Sequence, residues 1–266
     1  MQKIKEYIFD VGANDGSDGI AIALKNKNFY IHAFEPNPYL VRKIKKLKKE
    51  IEKRKGTIIN NYKIHCYAVS DKDKYSTFNI SINHRVSSLN KLSKNLNKSW
   101  PGYEDEIFKV IKKIKVKVIT LNDFMKKNKI NNIRYIHIDT QGNDLNVLKG
   151  LKSKINNVSE GKMEAAINKK NAAYINNHTI NDTKYFLSKT KLKIFKIKKI
   201  EHLSNGLVLK NEADIFFRHT KIKKFPYVNL NYNLRYFGRV IGSRTYFKDD
   251  FFDFFKSLKN FLIKNY

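Results

Sequence analysis

Short apolar runs alternate with amphipathic stretches near the start of the chain. Residues 7–11 are a short apolar run that ends at a turn, which is typical of a buried parallel strand. Residues 17–25 have apolar positions at helical spacing, and residues 30–35 form a second apolar run. The next helix begins at Pro38, carries one apolar stripe and ends at Gly56. This segment therefore predicts the order strand, helix, strand, helix.

The same alternation continues to about residue 220. Apolar runs predict further strands at residues 62–70, 76–82, 115–119, 133–139, 158–165, 192–197 and 214–218. Helical patterns predict helices at residues 120–130, 143–151 and 179–189. Strands that alternate with helices imply an α/β domain with a mostly parallel sheet, helices on both faces and right-handed crossovers. We assign this domain to residues 1–220, with a polar insertion at about 83–113 as a candidate lid.

The last part of the chain, residues 221–266, differs in composition and is crowded with Phe and Tyr. Phe251, Phe255, Leu258 and Leu262 fall on one face of a predicted helix. We expect this aromatic-rich extension to pack on the domain. Peripheral contact with a membrane surface, or docking to a partner, is the alternative.

Bulk composition bears on the compartment of the protein. No stretch approaches the roughly 18 apolar residues that span a bilayer. The first predicted strand begins within ten residues of Met1, so we expect no leader peptide. Cys66 is the single cysteine, which excludes an intrachain disulfide and makes a cytoplasmic location natural. Composition does not predict the oligomeric state.

The formal net charge is +30, which invites a nucleic-acid interpretation. Only eight of the 54 basic residues are arginine, however, and specific phosphate and base recognition favours the arginine fork. The lysines are spread along a chain that is also rich in Asn and Ile, which favours a solvated basic surface. Nucleic acid therefore stays an alternative partner rather than the favoured one.

The turn after the first strand, "DVGANDG", carries the first candidate chemistry. Gly12 and Gly16 allow a tight turn and close approach to a ligand, but Asn14 interrupts the dinucleotide fingerprint. Asp10, Asp15 and neighbouring Asp18 make the turn acidic, which suits a ligand with a positive centre better than a pyrophosphate. The S-adenosylmethionine sulfonium and amino group are such a centre. The alternative is that these acids only form and cap the turn.

Acids also close the following strands. Glu35 ends the second strand, where an acid bonds ribose hydroxyls. Ser70 and Asp71 close the third strand, and Asp71 is placed to accept a hydrogen bond from an adenine amino group. His137 and Asp139 alternate at the end of a later strand, and carboxyl ends of parallel strands face the ligand crevice.

Six short pieces, in order, are "FDVGANDG", "FEPNP", "AVSD", "SSL", "TLNDF" and "HIDTQGNDLNVLKG". They resemble the FkbM family of S-adenosylmethionine-dependent methyltransferases over about residues 7–218. The resemblance implies a Rossmann-like class I methyltransferase fold, with a mostly parallel seven-stranded sheet and a late antiparallel strand. It also implies methyl transfer, most often to a hydroxyl of a sugar or natural product. By this resemblance the cofactor-binding residues are Asp10, Gly12, Asn14, Gly16, Glu35, Ser70 and Asp71.

Two positions depart from the family pattern "K-I-D-x-E-G". Asp139 matches the aspartate of that pattern, whereas His137 replaces its lysine and Gln141 replaces its glutamate. If either replaced residue were essential, activity would be in doubt. The aromatic extension lies outside the resemblance.

An alcohol acceptor loses its proton as the new bond forms, so the site needs a base. The candidate catalytic residues are Asp139, His137 and Glu164, since all three close apolar strands. A buried structural role is the alternative for each. We assign no metal ligands, although Asp139 has the chemistry to hold a divalent ion.

The insertion supplies candidate contacts to a small-molecule or glycan hydroxyl acceptor. They are His84, Arg85, Ser87 and Ser88, with Gln141 from the turn after the Asp139 strand. Three other functions stay open. They are a nucleic-acid methyltransferase, a non-catalytic adapter that keeps the fold, and an NAD-linked enzyme, which Asn14 and the acidic turn disfavour.

Overall fold

A seven-stranded sheet with the order β3-β2-β1-β7-β8-β10-β9 forms the centre of the fold. The structure is a computed structural model and describes residues 5–102, 107–204 and 207–222. The strands of this sheet are β1 (Glu6–Val11), β2 (Phe29–Phe34), β3 (Tyr62–His65), β7 (Ile133–Ile138), β8 (Val158–Ala166), β9 (Leu192–Ser204) and β10 (Leu207–His219). The first five of these pair in parallel, whereas β10 runs antiparallel to both β8 and β9.

A second sheet of three strands has the order β4-β6-β5. Its strands are β4 (Ala68–Val69), β5 (Lys74–Ser81) and β6 (Val110–Ile119). The helices are α1 (Ser17–Lys25), α2 (Pro38–Lys55), α3 (Leu96–Ser99), α4 (Leu121–Lys127), α5 (Asp144–Lys149) and α6 (Ile180–Ser188). Two 3₁₀ turns cover His84–Val86 and Lys152–Asn157.

The main core lies around the central parallel strands. Phe9 and Val11 of β1 and Ile136 and Ile138 of β7 are almost completely buried. Parallel strands with both faces covered are apolar along their length, and this explains why the sequence shows continuous apolar runs here. Burial of one such side chain stabilises the fold by about 1.5–3 kcal/mol.

Helix α2 forms where the sequence predicted it. The Asn37 side chain accepts the Tyr39 backbone N–H at the N-terminus, and Pro38 occupies the first turn. Gly56 ends the helix in the left-handed conformation. The buried positions of the apolar stripe lie on one face of the helix, which is the geometry that the spacing of three and four predicts.

Strand β1 lies between β2 and β7. After β1 the chain adds β2 and β3 on one side of it, and later adds β7 and β8 on the other side. In open α/β sheets, ligands bind at such a switch point, outside the carboxyl ends of the strands. The turns after β1, β2 and β7 therefore meet at one edge. Gly12, Asn14, Gly16 and Glu35 lie in these turns, whereas Asp10 is on β1 and Ser70 and Asp71 follow β4.

Several bounds differ from the sequence prediction. The run 62–70 is two strands, because β3 ends at His65 and β4 pairs with β6 of the second sheet. Only two residues separate the two pieces, so the sequence did not divide them. Strand β6 begins at Val110, inside the predicted insertion of about 83–113 and five residues before its predicted start. The polar insertion also contains local structure, with a 3₁₀ turn at His84–Val86 and the short helix α3.

The two late strands are much longer than predicted, with 13 residues each. Lysines alternate along β9, which lies at the edge of the sheet, and this polar pattern hid the full length of the strand. The predicted helix that contains Phe251 lies outside the described residues. None of the described helices has the length and apolar character that crossing a membrane requires.

Candidate active site

The turn after β1 packs directly against the end of β7. The backbone N–H groups of Gly12 and Ala13 both donate to the Phe34 carbonyl at 3.0 Å, and Asp139 N–H donates to the Val11 carbonyl at 2.8 Å. Gly12 has φ +89°, and a Cβ added to it would overlap the Asp139 carbonyl oxygen. Only glycine fits here, for both its conformation and its space. The cofactor turn and Asp139 are therefore held in contact.

Gly16 has a structural task within the same turn. It has φ +70° and precedes α1, and a Cβ would meet Ile44 of α2 and the Tyr62 hydroxyl. Its role in the fold is thus to let α1 begin close against α2 and β3.

Glu35 joins the turns that follow β1 and β2. Its Oε2 accepts the Asn14 backbone N–H at 3.0 Å, and its Oε1 accepts the Asn37 backbone N–H at 2.8 Å. Asn14 has φ +50°, a conformation that asparagine tolerates better than most residues. Glu35 is only 5% exposed, and burial raises the pKa of its carboxyl to about 8.

Asn37 adds a group that the sequence analysis did not select. The residue is 2% exposed, and its Nδ2 has no hydrogen-bond partner among the described residues. A buried unpaired amide is costly, so it marks a position where a ligand acceptor is favoured. The sequence signal was the Asn-Pro pair after the second strand, which we used only to place the helix start.

His137 lies beside Asp10. These residues pair across β7 and β1 in the sheet register, and His137 Nδ1 lies 3.1 Å from Asp10 Oδ1. Burial works against the charged imidazole, but the hydrogen bond and charge of Asp10 raise the pKa of His137 overall. When His137 is protonated, this geometry is an imidazolium–carboxylate pair in which Nδ1 donates to Asp10.

The turn after β7 positions the Asp139 carboxylate. Gln141 Nε2 donates to Asp139 Oδ1 at 2.7 Å. The Tyr174 hydroxyl donates to the Val86 carbonyl at 2.7 Å and lies 3.1 Å from Gln141 Oε1. Gln141 has φ +54°, so the turn folds its side chain back toward the aspartate. Tyr174 was not found from the sequence, because it lies in an irregular loop that carries no motif.

Several carboxyl groups crowd this edge of the sheet. Burial, followed by the charge of Asp139, raises the pKa of Glu164 well above its usual value. The same two causes raise the pKa of Asp144 to about 7. Burial and the nearby charges of Asp10 and Asp15 raise the pKa of Asp18 to about 7. A positive ligand would relieve this mutual repulsion.

One buried cation lies next to these acids on the β8 side. Lys162 is 8% exposed, and its Nζ lies 2.8 Å from Asp214 Oδ1. Burial opposes its charge, but Asp214 and Glu164 raise the pKa of Lys162 overall. In the sheet register Lys162 pairs with His137, so both cations lie on neighbouring strands.

Ser70 and Asp71 lie against the start of α5. The Ser70 hydroxyl donates to Asp71 Oδ1 at 3.2 Å and lies 3.2 Å from Asn143 Oδ1. Asn143 Nδ2 donates to the Val69 carbonyl at 2.9 Å. The end of β4 and the turn after β7 are thereby joined, so the predicted adenine-side residues lie next to the Asp139 turn.

Of the four insertion residues, the two serines are engaged in local hydrogen bonds. Ser87 Oγ accepts the Ser81 backbone N–H at 3.1 Å, and Ser88 Oγ donates to the Gln141 carbonyl at 2.6 Å. His84 packs near the Tyr39 ring of α2, and burial lowers its pKa. Arg85 is exposed. The insertion is therefore attached to the Asp139 turn, while contacts of these four residues with an acceptor stay a prediction.

A parallel set of strands is followed by an antiparallel strand between β8 and β9, and a crevice lies above β1. These features define a Rossmann-like class I methyltransferase. The Methyltransferase FkbM domain matches residues 10–164, which is more than half of the chain. The chain belongs to this FkbM family, and S-adenosylmethionine is the cofactor.

Solved structures are similar to the chain at low sequence identity. An FkbM methyltransferase from Methylobacillus flagellatus KT is 14% identical with a TM-score of 0.47, over 80% of this chain and 43% of that protein. A TrmK from M. capricolum, in complex with S-adenosyl-homocysteine, is 11% identical with a TM-score of 0.39, over 85% of this chain and 69% of that one. The chain thus spans less than half of the first relative's length. No curated protein sequence matches the chain.

The residues at the crevice fit this cofactor. Glu35 offers carboxylate oxygens at the position of a ribose, and the neighbouring Asn37 amide has an unused donor. The surplus of carboxyl groups around Asp10 and Asp139 suits a sulfonium and an ammonium. In that arrangement Asp10, Asn14 and Glu35 would hold the cofactor, with Asp71 on the adenine side.

Proposed function

We propose that this protein transfers a methyl group to a hydroxyl oxygen of a sugar, a glycan or a small metabolite in the cytoplasm. The observation that carries the proposal is the contact between the Gly12 turn and Asp139. A carboxylate at this position lies beside the cofactor turn, where an acceptor hydroxyl must approach. The preference for an oxygen acceptor rests on that carboxylate.

Asp139 is the preferred base. Gln141 holds one of its oxygens, Oδ1, through a hydrogen bond at 2.7 Å, so Oδ2 is oriented for an acceptor hydroxyl. His137 is the second candidate, because the contact of Nδ1 with Asp10 orients the ring and leaves Nε2 as the nitrogen that would accept a proton. Burial and the charge of Asp139 raise the pKa of Glu164, so its carboxyl keeps a proton to higher pH than an ordinary glutamate and is better suited to donate to the acceptor than to remove its proton.

Methyl transfer depends mainly on alignment of the acceptor oxygen with the methyl group, rather than on a covalent bond between the enzyme and a substrate. The cofactor supplies an electrophilic methyl group on a sulfonium, and displacement of such a group is in-line. Asp139 takes the proton of the acceptor hydroxyl, and the paired charges of His137 and Lys162 stabilise the neighbouring carboxylates. The segment 84–88, attached to the Gln141 turn through Ser88, is placed to exclude water from the acceptor side.

Calorimetric titration with S-adenosylhomocysteine and with NAD tests the cofactor side of the proposal. We expect binding of S-adenosylhomocysteine without binding of NAD. Incubation with S-adenosylmethionine that carries a radiolabelled methyl group, and with a panel of sugars, sugar phosphates, polyols and oligonucleotides, then identifies the acceptor class. Transfer only to a nucleic acid would replace the hydroxyl-metabolite proposal, and failure to bind S-adenosylhomocysteine would leave the adapter function.

A further inference from the structure

A cavity of about 670 Å³ opens between α5 and α6, beneath the loop of residues 167–179. This volume lies in the range of sites that hold small ligands. Its walls include Leu145 of α5, Ile175 of the loop, and Tyr185 and Phe186 of α6. These side chains form an apolar and aromatic surface against which the ring of a ligand could pack.

Positive charge is concentrated at this cavity. Lys149, Lys169 and Lys189 line it, whereas Asp182 is the one carboxylate among its described lining residues. Asp182 Oδ2 is engaged by the backbone N–H and hydroxyl of Thr179, both at 2.8 Å. The acid is therefore occupied as a helix-capping group and does not neutralise the lysines directly.

The lysine ammonium groups have neutral neighbours. Lys189 Nζ lies 2.7 Å from the Tyr185 hydroxyl, and Lys149 Nζ lies 3.4 Å from His178 Nε2. Within the described ranges, the ion pairs of the protein include none of the three cavity lysines. Asp182 interacts electrostatically with Lys169 although the two form no ion pair. Three lysines therefore face one engaged carboxylate around this concave surface, and this excess of positive charge favours an anionic ligand.

His178 provides a second, independent observation at the same cavity. Its Nδ1 is buried and has no hydrogen-bond partner among the described residues. Burial and the charge of Lys149 lower the pKa of His178, with Lys169 acting in the same direction and Asp182 and Asp71 opposing it. A neutral ring that accepts from Lys149 at Nε2 carries its proton on Nδ1, which then needs an acceptor.

The cavity also adjoins the Asp139 turn. Tyr174 lines the cavity, and its hydroxyl lies 3.1 Å from Gln141 Oε1 while donating to the Val86 carbonyl at 2.7 Å. Gln141 donates to Asp139 Oδ1 at 2.7 Å. Two side chains in contact, Tyr174 and Gln141, therefore connect the cavity to the candidate base.

We propose that the cavity binds the phosphate group of a phosphorylated small-molecule acceptor, such as a sugar phosphate. The phosphate lies among Lys149, Lys169 and Lys189, and the sugar ring extends past Tyr174 toward Asp139. This inference rests on the proposed function in that the ligand is the methyl acceptor.

The shape of the site favours a small molecule over a nucleic acid. A protein that binds a nucleic-acid strand has basic residues along a groove that tracks the backbone, and aromatic side chains on which the bases stack. Here the lysines surround one cavity, and its described lining residues include no arginine, the residue that reads bases and phosphates in specific complexes.

The test measures anion binding by the full-length protein saturated with S-adenosylhomocysteine. Glucose 1-phosphate and inorganic pyrophosphate are the probes, with glucose as the uncharged comparison. The variants are Lys149→Met, Lys169→Met and, as a matched control, Lys113→Met, which removes an exposed lysine from β6. We expect glucose 1-phosphate to bind, glucose not to bind, and each cavity variant to weaken binding at least tenfold while Lys113→Met leaves it unchanged.

A proton NMR titration gives a readout at the site itself. The ring signal of His178, identified by its loss in His178→Gln, should report a higher pKa when pyrophosphate is bound, since an anion favours the charged ring. Equal weakening by Lys113→Met, or tight binding of a single-stranded oligonucleotide that no cavity variant affects, would indicate diffuse surface charge and overturn the inference. If the protein binds S-adenosylhomocysteine but no anion, this inference is overturned and the proposed function is unaffected. Failure to bind S-adenosylhomocysteine would count against the proposed function.

Discussion

His137 Nδ1 lies 3.1 Å from Asp10 Oδ1, and this contact joins two neighbouring parallel strands at the edge where both end. Asp10 belongs to the cofactor turn, and His137 precedes Asp139 by two positions on β7. A change in the charge of Asp10 on the cofactor side therefore changes the pKa of His137 on the acceptor side. It also places a positive charge among carboxyl groups that otherwise repel one another.

The first prediction concerns this pair. Asp10→Asn removes the negative charge that raises the pKa of His137 and leaves only a neutral amide oxygen as acceptor, so the pKa of His137 should fall. The neighbouring Asp18 should become more acidic, because Asp10 raises its pKa through like charge. Histidine NMR titration measures the first effect, with His32, whose pKa burial lowers to about 3, as an internal reference. An unchanged His137 signal would show that the two side chains do not interact in solution.

The second prediction concerns the fit between the Gly12 turn and Asp139. Gly12→Ala forces a Cβ into the Asp139 carbonyl oxygen at a φ of +89°, so the turn must shift. We expect a loss of at least about 2 kcal/mol in the free energy of unfolding, together with weaker cofactor binding. Chemical denaturation measures the first effect, and calorimetry measures the second.

Gly56→Ala is the matched control for this substitution. Gly56 also has a positive φ, of +57°, but a Cβ there would meet no atom within 4 Å. It should cost about 1 kcal/mol and leave cofactor affinity unchanged. Equal losses in the two variants would mean that backbone conformation alone, and not the contact with Asp139, accounts for the effect.

Much of the architecture could be predicted from local patterns. The run at residues 7–11, the helix at Ser17–Lys25 and the capped helix from Pro38 to Gly56 were all confirmed, because burial and capping leave direct marks on the sequence. The family and its cofactor were confirmed as well, since six short motifs occur in the expected order. The split of residues 62–70 was missed, because only two residues separate β3 from β4, and the assignment of the two strands to different sheets depends on pairing with distant partners.

The contacts that complete the site could be predicted less well. Tyr174 reaches Gln141 from a loop 33 positions away, and no local pattern reveals such a contact. Lys162 was hidden for a related reason: its partner Asp214 comes from a strand that is adjacent only in the folded sheet. Motifs therefore located the turns around the crevice, whereas the side chains that connect them depended on strand order.

The third prediction tests the position of Glu35. Glu35→Gln keeps the size of the side chain but replaces one carboxylate oxygen by an amide donor, which cannot accept from both a backbone N–H and a ribose hydroxyl. S-adenosylhomocysteine affinity should fall about tenfold, which corresponds to about 1.4 kcal/mol. Glu50→Gln, at an exposed position of α2, is the matched control and should bind normally. Normal binding by Glu35→Gln would remove Glu35 from the cofactor site.

The fourth prediction is the dependence of stability on pH. Burial raises the pKa of Asp18 to about 7, of Glu35 to about 8 and of Asp144 to about 7. These acids bind protons more tightly in the folded state, so their contribution to stability is complete below their unfolded pKa values and is lost as pH rises through 7–8. Burial lowers the pKa of His32 to about 3 and of His65 to about 4, so their contribution is present above pH 6.5 and is lost as pH falls.

The two trends oppose each other between about pH 4.5 and 6.5, and only the carboxyl trend continues above that range. Because three acids oppose two histidines, we expect the thermal midpoint to fall slowly between about pH 4.5 and 6.5 and more steeply between pH 6.5 and 8. S-adenosylmethionine should reduce that fall more than S-adenosylhomocysteine does, because only the former carries a sulfonium charge near the ionising acids. Scanning calorimetry at a series of pH values measures this, and a midpoint that rises from pH 6.5 to 8 would contradict the assignment of these buried acids.

The last prediction addresses the base. Asp139→Asn keeps the oxygen that accepts from Gln141 and leaves the backbone contact with Gly12 in place, so the cofactor side of the crevice is undisturbed. The amide cannot take a proton at neutral pH. With the acceptor found by radiolabelled methyl transfer, kcat should fall at least about 100-fold, while S-adenosylhomocysteine affinity stays within about threefold. A parallel loss of affinity would instead give Asp139 a role in holding the cofactor, and full turnover in Asp139→Asn would direct the search for the base to His137 and Glu164.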